Sequence, residues 1–264
     1  MLRWFEHSQV YRPNRNLIAT ADGLGRPFEN FFIRANDGVR LNGWFFPTNS
    51  QSAVCSFAVL VCHGNAGNIS HRLELCRSLL STGASVSVFD YRGYGHSQGR
   101  PSEKGTYLDA QAAYAWLRHR GVPGDHIIAF GESLGGAVAA ELAVREKLGG
   151  LILQNTFTSI PDIGAELFPW LPVRKLSRIQ YDTCRKLPRI SVPVLIMHSR
   201  ADELIGFRHG ELNFAAARDP KLFCELGGSH NDALSDGRFI AGIERFLELA
   251  LSQKLPLQPN PTSG

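Results

Sequence analysis

Long hydrophobic runs are missing from this chain of 264 residues. No stretch reaches the roughly 18 consecutive apolar residues that a spanning helix needs, so no transmembrane segment is expected. The opening residues, Met1-Leu2-Arg3-Trp4-Phe5-Glu6-His7-Ser8, lack the apolar core of a secretory signal, so none is expected there. Cysteine is sparse and unpatterned: Cys55, Cys62, Cys76, Cys184 and Cys224 form no C-x-x-C pair and no metal-ligand spacing with histidine. An odd, scattered set argues against a disulfide framework or metal site and for a reduced, cytoplasmic setting. Charge of one sign is also lacking: 28 Lys+Arg stand against 24 Asp+Glu, a net +4. That bias is too weak to argue for a nucleic-acid partner, and none is expected. The 26 glycines and 14 prolines follow no fixed period and no internal repeat is visible, which excludes fibrous and solenoid architectures. A chain that is 44% hydrophobic and 20% charged is instead an ordinary globular protein.

Patterning gives the fold class. Two alternating runs, 28–35 and 40–46, flank Asn36-Asp37-Gly38, a strong hairpin signal. The pattern then changes to short continuous apolar runs at 57–62, 86–89, 127–130, 151–153, 194–197 and 222–226. Such runs suit strands buried on both faces. Between them Ile69, Leu73, Cys76 and Leu80 recur at helical spacing, as do Leu108, Ala112, Ala115 and Trp116, and later Phe239, Ile243, Phe246 and Ala250. Strand–helix alternation predicts an α/β fold: about eight strands, mostly parallel, fed by an N-terminal antiparallel hairpin and covered by helices on both faces. With no linker or composition break, residues 1–253 read as a single domain. The tail 254–264, rich in proline and small polar residues, is expected to be flexible.

The chemistry centres on Gly131-Glu132-Ser133-Leu134-Gly135-Gly136. This G-x-S-x-G follows a predicted strand and opens a helix of small residues, the context in which such a turn presents a serine hydroxyl above the sheet. A serine needs a base to become a nucleophile. On this scaffold the chain order is serine, acid, histidine. His230 directly follows the last predicted strand, and Asp202 follows the strand at 194–197. Glu203 is the neighbouring rival for the acid. His63-Gly64-Asn65-Ala66-Gly67-Asn68, after the first buried strand, is placed to supply one backbone amide to a developing oxyanion. Asn65 is the first choice and Ala66 the second, with Leu134 as the other donor. The loop Asp90-Tyr91-Arg92-Gly93-Tyr94-Gly95-His96-Ser97 reads as structural, its Asp90 and Arg92 pairing to hold shape.

Taken together, these residues resemble the α/β-hydrolase superfamily over roughly 28–251. Within it, His63-Gly64-Asn65-Ala66-Gly67-Asn68, Asp90-Tyr91-Arg92-Gly93-Tyr94-Gly95, Phe157-Thr158-Ser159-Ile160 and Gly228-Ser229-His230-Asn231-Asp232 resemble a serine-hydrolase subgroup. That subgroup contains protein depalmitoylases and membrane-anchored α/β-hydrolase-domain proteins. The resemblance implies Ser133, Asp202 and His230 as a triad, esterase or thioesterase chemistry, and no cofactor. The chain shows neither the N-terminal anchor nor the cysteine cluster of many such proteins, which counts against a lipidated-protein or membrane-lipid substrate.

Residues 157–190 exceed what a connection between two strands requires, and they carry Phe157, Leu167, Phe168, Trp170, Leu171 and Tyr181. A small lid over an open acyl site is expected, with Phe157 and Leu204 at the substrate, a small-molecule acyl ester or thioester. This segment is also the most basic of the chain, with six basic residues against three acidic. A solvated face explains that, and steering of anions or contact with an anionic membrane surface is the sharper alternative. Two rival functions stay open on the sequence. One is a peptidase or amidase on the same triad, and the other is a non-catalytic binding protein of the same fold.

Overall fold

The continuous apolar runs become strands with both faces covered. The computed structural model describes residues 2–253; the tail expected to be flexible lies outside the described residues. In chain order the large sheet comprises β1 (Glu29–Arg34), β2 (Arg40–Phe46), β3 (Ala58–Cys62), β4 (Ser85–Phe89), β5 (Ile127–Glu132), β6 (Gly150–Gln154), β7 (Val194–Ser199) and β8 (Lys221–Leu226). Their spatial order is β8-β7-β6-β5-β3-β4-β2-β1. β2 runs antiparallel to both β1 and β4, and the remaining neighbours are parallel. The eight-stranded, mostly parallel sheet with an N-terminal hairpin is therefore present. The hairpin closes where expected, with Gly38 N–H donating to Ala35 O at 2.8 Å and Gly38 at φ +85°.

The helices are α1 (Leu2–Val10), α2 (Leu73–Ser81), α3 (Glu103–His119), α4 (Leu134–Arg145), α5 (Ile160–Leu167), α6 (Val173–Leu176), α7 (Thr183–Lys186), α8 (Arg208–Ala216) and α9 (Gly237–Ser252). Local chemistry starts several of them: Ser102 caps α3 through the Gly105 amide, Ser159 caps α5 and Asp236 caps α9. Even inside a wholly apolar strand the period of two decides which helices it meets. Ala58, Leu60 and Cys62 of β3 pack with Ala110, Ala113 and Leu117 of α3 and with Ala137 and Val138 of α4. Val59 and Val61 pack with Leu75 and Leu79 of α2 and with Phe239, Ile243 and Phe246 of α9. Two cores thus clamp one sheet, and the loops that follow β3, β5, β7 and β8 emerge at the same edge, the usual place for a ligand crevice in such sheets. Among the described residues no helix is long and apolar enough to cross a membrane.

The loop after β4 corrects one expectation. Arg92 does not pair with Asp90. Its Nη2 lies 2.8 Å from Asp109 Oδ1 on α3, and its Nη1 lies 2.6 Å from Asp37 Oδ2 at the hairpin turn. Asp90 instead accepts the Ile69 amide at 2.9 Å. The two acids are equally buried and differ in what reaches them. Asp90, just after β4, meets the Ile69 amide and lies 3.5 Å from His63 Nε2. Asp109, wholly buried in α3, requires a counter-charge that the long arginine supplies. Replacing Arg92 by Met should therefore strand a buried carboxylate and cost about 3 kcal/mol or more, read as a lowered urea midpoint at unchanged slope.

Candidate active site

The turn from β5 into α4 is forced by close packing. A Cβ on Gly131 would collide with the Gly136 backbone, and one on Gly135 would collide with the Cys62 and His63 carbonyls at the end of β3. With α4 pressed this closely on its neighbours, Ser133 takes φ +52° and ψ −117°, outside the comfortable region for an L-residue. Strain of this kind is of order 1–3 kcal/mol and persists only where the surroundings over-determine it. Here the Ser133 amide donates to Gln154 O at 2.9 Å and its carbonyl accepts from Gly136 N at 3.0 Å.

Asp202 and His230 come together across the ends of β7 and β8. His230 Nδ1 lies 2.7 Å from Asp202 Oδ2. The other carboxylate oxygen accepts the amides of Leu204 (2.9 Å) and Ile205 (2.7 Å), which fixes the side chain in its own turn. An ionised carboxylate only accepts, so Nδ1 carries the proton and Nε2 is left with its lone pair. Glu203, the rival acid, instead accepts the His230 backbone amide at 3.1 Å. Ser133 and His230 line one cavity, although no hydrogen bond joins the serine hydroxyl to the imidazole among the described residues. Such a bond often closes only once substrate is bound.

Three supporting residues escaped the sequence reading. Asn155, at φ +46° after β6, donates its side-chain amide to His230 O at 2.9 Å and accepts from Ser199 N at 2.8 Å. It ties the histidine loop to β7. His198 Nε2 donates to Ile205 O at 2.8 Å and lies 3.7 Å from Asp202 Oδ2. Burial lowers its pKa below the usual histidine value, and this keeps it uncharged behind Asp202. Glu132, beside the serine, bonds Arg72 Nε at 2.6 Å, while Arg72 Nη2 reaches Ala66 O at 3.2 Å. Burial alone would raise the Glu132 carboxyl, but Arg72 reverses this and holds it below its ordinary value. A half-buried ion pair thus clips the serine turn to the 63–68 loop. Its only sequence trace is a charged residue inside an otherwise apolar turn.

In that loop neither the Asn65 nor the Leu134 amide finds an acceptor among the described residues, and both residues line the cavity with Ser133. The cavity encloses about 350 Å³. Phe157 and Leu204 line it, as do Ile160, Ile163, Leu167 and Phe168 of the 157–190 segment. Tyr181 and Trp170, grouped with these aromatics by sequence, do not. Tyr181 is buried in contact with Tyr11 and Thr106, and Trp170 is largely exposed. Half of the basic residues of the segment are paired: Arg174 and Arg185 with its own Asp162 and Asp182, and Lys186 with Glu141 of α4 outside it. One wall was missed altogether: Phe5, Glu6, Gln9 and Val10 of α1. Glu6 Oε1 accepts from Ser177 Oγ (2.6 Å), Arg178 N (2.9 Å) and Ile179 N (3.1 Å), and this fastens α1 to the 157–190 segment.

The sequence model of the family described as alpha/beta hydrolase fold matches residues 58–174. The Arabidopsis thaliana alpha/beta hydrolase domain-containing protein WAV2 is 34% identical over 262 residues, covering 88% of this chain and 83% of that protein. This chain belongs to the α/β-hydrolase superfamily. The hydrolase is also similar to Rv2307c of Mycobacterium tuberculosis, 40% identical over 252 residues, covering 94% of this chain and 89% of the other. It is 34% identical to the bem46 protein of Schizosaccharomyces pombe over 238 residues, covering 86% and 79%. In fold it matches the Pyrococcus furiosus esterase Pf2001 with a TM-score of 0.75 at 20% identity, over 91% of this chain and 99% of that one. For this α/β-hydrolase the contact between α4 and the end of β3 carries a direct test. Gly135→Ala should cost about 1–3 kcal/mol by overpacking, lowering Tm by several degrees in a thermal scan.

Proposed function

We propose that this α/β-hydrolase is a serine hydrolase that cleaves carboxylic esters or thioesters through an acyl-enzyme on Ser133. The observation that carries the reading is the 2.7 Å hydrogen bond from His230 Nδ1 to Asp202, which leaves Nε2 unprotonated in the cavity that contains the strained Ser133. A base held in that tautomer is what a serine requires. The apolar lining from 157–190 and α1 supports an acyl group as the bound portion.

In this mechanism Ser133 Oγ attacks the carbonyl carbon and passes its proton to His230 Nε2. Asp202 stabilises the resulting imidazolium and keeps its orientation. The carbonyl oxygen becomes an oxyanion that accepts from the Asn65 and Leu134 amides, and the positive end of α4 adds to this field. Collapse breaks the bond to the alcohol or thiol, which leaves with the proton from His230. Water then attacks the acyl-enzyme and gives its proton to His230. The carboxylic acid departs as that proton returns to Ser133 Oγ. No step calls for a cofactor.

Ser133→Ala should abolish hydrolysis of p-nitrophenyl butyrate and labelling by a fluorophosphonate while the circular dichroism spectrum stays native. Persistent turnover in that variant would sink the proposal. Asp202→Asn should lower kcat by roughly 10³- to 10⁴-fold, because an amide at that position favours the wrong imidazole tautomer. Steady-state kinetics on the same ester reads this directly.

A further inference from the structure

Two cavities meet at His230. The apolar one holds Ser133 and the walls from 157–190 and α1. The second encloses about 560 Å³ and contains neither Ser133 nor any residue of 157–190. Its lining is more polar than that of the first, with Asn14, His71, Arg72, Gln154 and Asn231 among its residues. The partition between the two is shared and includes Arg12, Arg72, Glu132 and His230.

Most charge in the second cavity is already neutralised. Arg72 and Glu132 pair at 2.6 Å, and Glu74 lies 3.5 Å from Arg77. Arg12 is different. Its exposed side chain makes no hydrogen bond or ion pair among the described residues. Its backbone, in contrast, is held: the Arg12 amide donates to Asn65 O at 3.0 Å, and Arg12 pairs with Ala66 in a short parallel bridge. A guanidinium without a partner among the described residues is thus carried by backbone fastened to the very loop that offers the Asn65 amide.

Reaction geometry assigns the two cavities. The acyl chain belongs in the apolar one. The leaving group must meet His230 to receive its proton, and so extends into the polar one, toward Arg12. A guanidinium presents a planar fork of donors that matches phosphate oxygens. We infer that the polar cavity is a leaving-group subsite in which Arg12 binds a phosphate carried by the alcohol or thiol of the substrate. The inference rests on the Ser133–His230 reading and adds the class of leaving group to it.

The test compares matched substrates with one acyl chain. Octanoyl glycerol is paired with octanoyl glycerol 3-phosphate, and octanoyl pantetheine with octanoyl 4′-phosphopantetheine. The two pairs separate a phosphorylated alcohol from a phosphorylated thiol. In the wild type at least one pair should favour its phosphorylated member by about tenfold or more in kcat/KM, mainly through KM. That ratio should fall close to unity in Arg12→Ala and lie between in Arg12→Lys. It should also shrink as salt rises, since the site is exposed. A wild-type ratio of unity in both pairs, or a ratio that survives Arg12→Ala, overturns the inference. Calorimetric titration of Ser133→Ala with glycerol 3-phosphate and with 4′-phosphopantetheine separates the subsite from the chemistry. Binding of either that is lost in Ser133→Ala/Arg12→Ala supports the subsite without any turnover, whereas turnover by Ser133→Ala itself overturns the hydrolase reading.

Discussion

The approach of α4 to the end of β3 governs the site. Gly135 lies against the Cys62 carbonyl, so the chain must leave β5 in a tight turn and Ser133 absorbs the distortion. Nothing in the serine itself favours that conformation. It is held because β5 is bonded on both sides, to β3 through Leu60↔Ala129 and Val61↔Phe130 and to β6 through Phe130↔Ile152 and Gly131↔Leu153. A fully buried parallel sheet is a stiff foundation, and the local strain is offset by the packing of two hydrophobic cores.

Electrostatics follows the same logic of constraint. Asp202 divides its two oxygens between turn amides and His230, so the carboxylate is oriented and satisfied at once. His198 stands close behind and stays neutral because burial disfavours its cation. The Asp202 carboxylate oxygen nearest His198 is thus the one that faces His230. Glu132 and Arg72 cancel locally.

Most of the frame could be read from the sequence because buried parallel strands write themselves as short apolar runs, and β3 through β8 each coincide with one. Chain order relative to those strands singles out Ser133, Asp202 and His230; the structure bonds His230 to Asp202 and puts His230 and Ser133 on one cavity. What escaped depends on partners distant in sequence. Arg92 has acids on both sides of it, and only the tertiary arrangement sends it to Asp109 and Asp37. Asn155 looks like any polar residue after a strand until its side chain meets His230 O. α1 carries a weak apolar pattern over nine residues, and its place depends on distant partners: three donors from the 157–190 segment to Glu6, the Pro101 carbonyl at His7 and the Asn65 side-chain amide at Val10 O. The pairing inside the basic segment was invisible for the same reason.

The place of α1 in the cavity wall has an evolutionary consequence. The cavity has one wall on the sheet and another built from a helix that lies outside the alternating strands and helices, with only its Val10 reaching the core. Residues such as Phe5 and Gln9 can be exchanged without disturbing the serine turn, the histidine couple or either core. Selection can therefore reshape what the cavity accepts by drift in a short amphipathic segment, while the costly architecture of the serine turn and the Asp202–His230 pair is inherited unchanged.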